Sequence, residues 1–152
     1  GYADAFRFIY RPLNGDGQIV ARVFSMQYTD PWAKVGVMIR ENMAADAKDV
    51  FMGLSGQGGS TLQWRPVTSD RTSGSVDGPL AKLPYWVKLT RAGDVFTGYV
   101  SQDGINWQKV GNATVPMNKN LLIGLAVTSH NNSALNSTLF EHVSFTSPGF
   151  LK

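Results

Sequence analysis

Cysteine is missing from this sequence altogether. Its absence excludes disulfide bridges, thiolate metal sites and thiol nucleophiles together. The sequence also lacks any apolar run near the roughly 20 residues that a helix needs to cross a bilayer. The fourteen lysines and arginines are scattered and the net charge is only +3, so no basic stripe is present to follow a phosphate backbone. We therefore expect no membrane insertion and no nucleic-acid partner.

Groups for acid–base chemistry are also scarce. The two glutamates, Glu41 and Glu141, lie far apart in the sequence, and the two histidines are His130 and His142. A glycosidase needs two carboxylates about 5–9 Å apart across the scissile bond, and no predicted strand carries a close pair of acids. No nucleophile elbow, phosphate-binding loop or zinc-protease motif is present. The sequence therefore predicts that the protein is not an enzyme.

Short strands separated by turns are the dominant pattern. Val35, Val37 and Ile39 alternate with other residues as in a strand with one buried face. Asp103–Gly104, between two strand-like segments, is a strong hairpin signal. About ten strands are predicted, at residues 6–10, 18–27, 35–40, 50–54, 62–67, 85–91, 95–101, 107–110, 121–129 and 138–146. The segment 41–49 is the only place for a short helix or helical turn.

This pattern predicts an all-β domain in which the strands are antiparallel, because parallel pairs would need helical crossovers. A sandwich or a barrel satisfies the pattern. No repeat or linker divides the chain, so residues 1–147 are interpreted as one β-domain and residues 148–152 as an exit tail.

The alternation within strands suggests where a ligand could bind. If Val35, Val37 and Ile39 face the core, Arg40 faces the other side, and the same logic turns Gln63 and Arg65 outward. Small residues alternating with such polar side chains would form the floor of a shallow polar groove. A plain solvated face explains the same pattern, and both interpretations stay open at this point.

Loop residues would supply the walls of the groove. Trp32 follows a proline in a loop, where it either binds a ligand or plugs the end of the sandwich. His130 opens the polar segment that continues with Asn131 and Asn132, at a strand end where ligand groups collect. Oxygen atoms of residues 129–133 could coordinate calcium, but no cluster of aspartates accompanies them, so calcium is the minority interpretation and no cofactor is expected.

The remaining tryptophans have structural interpretations. Trp107 follows the Asp103–Gly104 turn and Trp64 alternates in phase with Leu62, so we expect both in the core. Trp86 packs on the second face or lies on the outer surface.

Long motifs in the sequence resemble one known family. They are A-D-x-F-x-F-x-Y-x-P-L-x-G-D-G at residues 3–17, D-P-W-A-K-x-G-V-M-I-R-E at 30–41, P-x-W-V-K-L-x-R at 84–91, F-T-x-Y-x-S-x-D-G-x-x-W at 96–107 and G-L-A-V-T-S-H-N-N-S-A-L at 124–135. Together they resemble the bacterial concanavalin A-like domains called regulation-of-enolase-like. The resemblance covers nearly the whole chain.

The resemblance implies a two-sheet antiparallel jelly-roll sandwich of the concanavalin A-like lectin or glucanase type. Such domains are appended to secreted polysaccharide-active or surface proteins, which implies an extracellular or cell-surface location and a polysaccharide or glycan partner. The matching motifs include Arg40, Glu41, His130 and Asn131.

One departure from the family supports a second hypothesis. Family members carry another strand or two before the first motif, whereas this sequence begins almost at that motif. Either those strands were removed or a sheet edge is open here. An open edge would invite completion by a neighbouring chain or domain, including a second copy of this chain. The first hypothesis is thus a carbohydrate-binding module with Trp32, Arg40, Glu41, Gln63, Arg65, His130, Asn131 and Asn132 as ligand-binding residues. The second is an adhesive or structural subunit of an extracellular assembly.

Overall fold

A computed structural model of the protein describes residues 7–26, 33–68, 74–128 and 138–147. These residues form eleven strands: β1 (Arg7–Asn14), β2 (Gly17–Met26), β3 (Lys34–Arg40), β4 (Asp49–Ser55), β5 (Ser60–Arg65), β6 (Gly74–Asp77), β7 (Tyr85–Ala92), β8 (Val95–Ser101), β9 (Gln108–Thr114), β10 (Asn120–Thr128) and β11 (Thr138–Thr146). One sheet has the order β1-β10-β3-β4-β5-β6 and the other β11-β2-β7-β8-β9. Every neighbouring pair is antiparallel. The predicted all-β, two-sheet jelly-roll sandwich is confirmed.

The core lies between the two sheets and follows the predicted alternation. Val35, Val37 and Ile39 are fully buried and share one cluster with Ile19 and Leu89 of the opposite sheet. Trp64 packs against this cluster, as the sequence predicts. Burial of apolar side chains between two sheets is the main stabilising term for such a sandwich.

No helix is present in the described residues; segment 41–49, expected to form a short helix or helical turn, contains only a turn, in which the Ala47 N–H donates to Ala44 O (3.1 Å). Residues 41–46 form bends and a turn, and Asp49 already begins β4. Two backbone carbonyl groups that a helix here would use as hydrogen-bond acceptors accept hydrogen bonds from arginine side chains. Arg40 Nη2 donates to Ala44 O (2.6 Å), and Arg65 Nη1 donates to Ala47 O (3.0 Å). No described helix is long and apolar enough to cross a membrane.

Strands β6 and β1 differ from the prediction. The short edge strand β6 was not among the predicted strands, and it forms by pairing with β5. Gly74 begins it, and a Cβ at this position would overlap the Trp64 indole, so glycine permits the close approach. Strand β1 continues through Pro12 to Asn14. A proline is tolerated there because β1 is the outermost strand of its sheet.

Aromatic side chains cover part of the outer face of the five-stranded sheet. Trp107 contacts Trp86 edge to face, with ring centroids 6.4 Å apart, and Lys88 Nζ lies 4.3 Å from the Trp107 ring centroid. Trp107 is therefore outside the core, contrary to the prediction. It still supports the hairpin indirectly, because Gly104 of the turn packs against Trp86.

Candidate functional site

A polar depression lies on the outer face of the six-stranded sheet, over β5 and β6. Its volume is about 370 Å³. The described residues that line it come from β3 to β6 and the adjoining loops: Lys34, Ser55, Gln57, Gly59, Ser60, Thr61, Gln63, Asp77, Gly78 and Leu80. None of these residues is aromatic, so the depression offers hydrogen-bonding and charged groups rather than an aromatic stacking surface.

Strand register brings the central lining residues together. Thr61 on β5 lies directly opposite Asp77 on β6, and Gln63 lies opposite Ser75. Thr61 also pairs with Gly53 of β4, over which the Phe51 ring lies. Since residues two apart on a strand share a face, these side chains form one polar patch.

The rim of the depression is held by hydrogen bonds within the protein. Ser60 Oγ donates to Pro79 O (2.6 Å), and Ser55 Oγ accepts from the Gly59 backbone N–H (3.2 Å). The backbone N–H of Gly78 donates to Ser60 O (2.9 Å). The two serine hydroxyl groups are therefore already used, and the loop after β6 is fixed against β5.

Thr61 is the anomaly of the site. The residue is 6% exposed, and among the described residues its hydroxyl is the one buried side-chain polar atom without a hydrogen-bond partner. Buried hydroxyl groups are normally satisfied by protein or by ordered water. An unsatisfied one beside an open depression suggests that a ligand or water completes it.

The centre of the same outer face is apolar. Met38, Phe51 and Ala126 are buried there in a small cluster of their own, with Phe8 packed against them. The phenyl ring of Phe51 lies over Gly53, where a Cβ would overlap it. The predicted polar groove therefore differs from the structure: its centre is filled, and the open polar part lies over β5 and β6.

Arg40 and Arg65 lie at the far end of this face and are buried. They are 0% and 3% exposed. Both guanidinium groups approach Asp49 Oδ2, at 3.5 Å from Arg40 Nη1 and 3.4 Å from Arg65 Nη1. In addition, Arg40 Nε donates to Asn42 O (3.1 Å). These contacts hold the 41–48 loop, so the predicted direct role of both arginines in a groove floor does not fit their burial.

The other predicted site residues are only partly brought together. Gln63 lines the depression and shares a face with Arg65, two residues along β5. Glu41 lies at the loop, where its Oε2 accepts from the Asn118 N–H (3.3 Å) and lies 3.9 Å from Lys48 Nζ. Trp32, His130, Asn131 and Asn132 lie outside the described residues.

Thr61 and Asp77 are site residues that the sequence analysis missed. Thr61 could have been found, because it directly precedes the predicted strand 62–67 and alternates in phase with Gln63. Asp77 gave no such signal, since its strand was not among those predicted.

Asp49 and Asp77 do not form a glycosidase pair. Asp49 lies opposite Arg65, whereas Asp77 lies opposite Thr61, four residues away on the same strand. Four residues of strand separate these positions by about 13 Å, beyond the 5–9.5 Å of glycosidase acids. Among the described residues no group of three or more His, Asp or Glu could hold a metal ion, and segment 129–133, considered for calcium, lies outside them.

No protein-family model matches the sequence, and no curated protein matches it. The fold is similar to that of a functionally unknown protein from Saccharomyces cerevisiae, with 19% identity and a TM-score of 0.75 over 95% of this chain and 76% of that one. A GH43 protein from Bacillus licheniformis gives 10% identity and a TM-score of 0.65 over 86% of this chain, which spans 27% of that protein.

A β-1,3-1,4-glucanase (lichenase) from a mouse hindgut metagenome gives 10% identity and a TM-score of 0.55 over 86% of this chain and 64% of that one. At these identities the similarity shows the fold and nothing further. The concanavalin-like sandwich that the sequence motifs imply is therefore the architecture of this chain.

Proposed function

We propose that this domain is a non-catalytic carbohydrate-binding module of the regulation-of-enolase-like family, part of a secreted or cell-surface bacterial protein. The observation that carries the proposal is the open depression over β5 and β6, lined by hydroxyl, amide and carboxylate groups. Planar amide and carboxylate groups are the hydrogen-bonding partners that sugar hydroxyls need. The sandwich architecture shared with a glucanase and a GH43 protein is compatible with glycan as the partner.

The proposed contacts divide into direct and indirect ones. Gln63 contacts the glycan directly because it lines the depression. Arg40 and Arg65 act indirectly, because their buried guanidinium groups fix the 41–48 loop at the end of the same sheet. Trp32 and the segment His130–Asn131–Asn132 are retained as proposed walls of the site, and Glu41 as a loop residue at its far end.

A non-catalytic role is supported by the geometry of the acids. Asp49 is engaged by two arginines, and about 13 Å of strand separates its row from that of Asp77. Asp49 and Asp77 are therefore too far apart to act together as the acid pair that glycoside hydrolysis requires.

Native gel electrophoresis through immobilised polysaccharides tests the proposal. We expect the protein to be retarded by at least one glycan, and Gln63→Ala to weaken the retardation. Gln102→Ala is the matched control, because Gln102 is exposed beyond β8 on the other sheet. Free migration through every polysaccharide would contradict glycan binding, whereas unchanged retardation of Gln63→Ala would place the site elsewhere.

A second function, adhesion or assembly through a sheet edge, is favoured by one observation. Ile9 on the edge strand β1 shares the inward face with buried Leu13, yet it is 74% exposed. A neighbouring chain that extended the sheet could cover it. Against this, Pro12 lacks a backbone donor and Arg7 and Arg11 place charge on the strand, which are devices that protect edges.

Light scattering across a concentration series separates the two functions. Assembly predicts a mass that rises with concentration and falls back to that of one chain in Ile9→Glu. A constant monomeric mass, together with glycan retardation, would leave only the binding module.

A further inference from the structure

Three polar groups in the depression have no partner within the part of the chain that the structure describes. They are the Thr61 hydroxyl, the Gln63 amide and the Asp77 carboxylate. The neighbouring groups are occupied: Ser60 and Ser55 hydrogen-bond within the rim, and Lys34 has an interaction of its own. The site therefore offers a specific set of unpaired atoms rather than a generally polar surface.

These three groups lie close together because of the strand register. Thr61 and Asp77 are directly opposed on β5 and β6, which places their Cβ atoms about 4.5–5.5 Å apart. Gln63 follows Thr61 on the same face, about 6.6 Å along the strand. Two opposed side chains at this separation can bind two adjacent hydroxyl groups of one sugar ring.

The chemistry of the set defines the ligand. An ionised carboxylate only accepts hydrogen bonds, whereas a threonine hydroxyl and a glutamine amide both donate and accept. Asp77 is exposed and carries the single formal charge among the three groups. Lys34, the one cation among the described lining residues, lies on β3, two strands away from β5, and has an interaction of its own. Beside Asp77 the set therefore favours hydroxyl donors and disfavours a carboxylated or sulfated sugar, because like charges would be brought together.

We propose that Thr61 and Asp77 form a subsite for a neutral sugar. One sugar hydroxyl group donates a hydrogen bond to the Asp77 carboxylate, and the adjacent hydroxyl group forms a hydrogen bond with the Thr61 hydroxyl. This inference rests on the proposed glycan-binding function and names its ligand class. Gln63 binds the next hydroxyl along the strand.

Replacing Thr61 should lower glycan affinity without lowering the melting temperature, which is not expected of a residue with a purely structural role. Thr61→Val keeps the shape of the side chain and removes a hydroxyl that has no partner in the fold. The melting temperature should therefore stay the same or rise, since an unsatisfied buried group is removed. Glycan affinity should fall at the same time.

The experiment measures dissociation constants from retardation in gels that contain increasing polysaccharide. The neutral probes are xylan, β-1,3-1,4-glucan and galactomannan, and the acidic probes are polygalacturonate and alginate. We expect at least one neutral probe to bind the wild-type protein about tenfold tighter than either acidic probe. Asp77→Asn should weaken neutral binding at least about tenfold and Thr61→Val about fivefold, in line with the loss of a charge-assisted and a neutral hydrogen bond.

Asp94→Asn is the charge-matched control, since Asp94 lies in the turn between β7 and β8 of the other sheet and should leave binding unchanged. Binding of neutral glycan that survives both Asp77→Asn and Thr61→Val would overturn the subsite and leave the proposed function intact. Preference for the acidic probes would do the same. Binding to none of the five probes would overturn both.

Discussion

Replacing Asp49 with asparagine should strongly destabilise the fold, because it leaves two buried arginines without their shared counter-ion. The side chains of Arg40 and Arg65 are 1% and 3% exposed, and both approach Asp49 Oδ2 within 3.5 Å. Asparagine keeps the shape and one acceptor oxygen but removes the charge. Breaking a buried ion pair from one side costs about 3–5 kcal/mol, because the remaining charge stays desolvated.

The magnitude can be measured by urea denaturation followed through tryptophan fluorescence. For a domain of this size, a loss of about 3–5 kcal/mol corresponds to a fall in melting temperature of about 6–20 °C. Asp94→Asn provides the control: its carboxylate is 49% exposed and lies 4.0 Å from Arg91 Nη2, so its loss should cost less than about 1 kcal/mol.

A double-mutant cycle with Arg65→Met tests the mechanism rather than the size of the effect. Once one of the two cations is removed, Asp49→Asn leaves less uncompensated charge, so the two substitutions should destabilise by less than the sum of their separate effects. Additive effects, or a loss of under about 1 kcal/mol for Asp49→Asn alone, would refute the claim that this carboxylate neutralises the buried pair.

Two further predictions concern a strand and a turn. Gly36→Ala should destabilise the protein by about 2 kcal/mol or more in the same urea assay, because the new Cβ would overlap the Met52 carbonyl oxygen, whereas Gly59→Ala, whose nearest neighbour is Ser55 Oγ at 3.5 Å, should cost under about 1 kcal/mol. Hydrogen bonds from the backbone N–H groups of Asn106 and Ile105 hold the pKa of Asp103 well below its ordinary value. Because the folded-state pKa is the lower one, this stabilisation is present above about pH 4 and is lost as the pH falls further. Melting temperatures between pH 5 and 2 should therefore fall less steeply in Asp103→Asn than in the wild-type protein, and equal slopes would contradict the assignment.

Alternation predicts strands well where one face meets the core. Val35, Val37 and Ile39 are all fully buried, as expected from period-two spacing alone. The Asp103–Gly104 signal likewise falls between β8 and β9, with Gly104 at a φ of +77° that glycine adopts without strain. The turn depends on local backbone preferences, and the alternation depends on one face of the strand being buried. Both leave a pattern in residues that are neighbours in the sequence.

Features that depend on pairing across the sheet were not predictable in the same way. The segment Gly-Ser-Val-Asp of β6 has no strand pattern of its own and becomes a strand because β5 supplies the ladder. Asp77 became a candidate site residue only because the β5–β6 register places it opposite Thr61. Trp107 was wrongly predicted to lie in the core for a similar reason. It packs on Trp86 of the outer face, a contact between residues far apart in the sequence that local alternation does not show.

The buried arginines show the limit of assigning side chains to a face of the sheet from their alternation alone, because Arg40 and Arg65 were expected in an open groove and are buried. Parity correctly placed Arg40 opposite the core face, but it does not distinguish a solvated side chain from one covered by its own loop. Arg91 on the other sheet has the core-facing parity of Leu89 but makes the same hydrogen bond: Arg91 Nε donates to Gly93 O (2.8 Å), just as Arg40 Nε donates to Asn42 O, two residues ahead in each case. A guanidinium group with five donors can satisfy several carbonyl groups of a tight loop at once. An arginine at the end of a strand and before a turn should therefore be weighed as a loop anchor before it is assigned to a ligand.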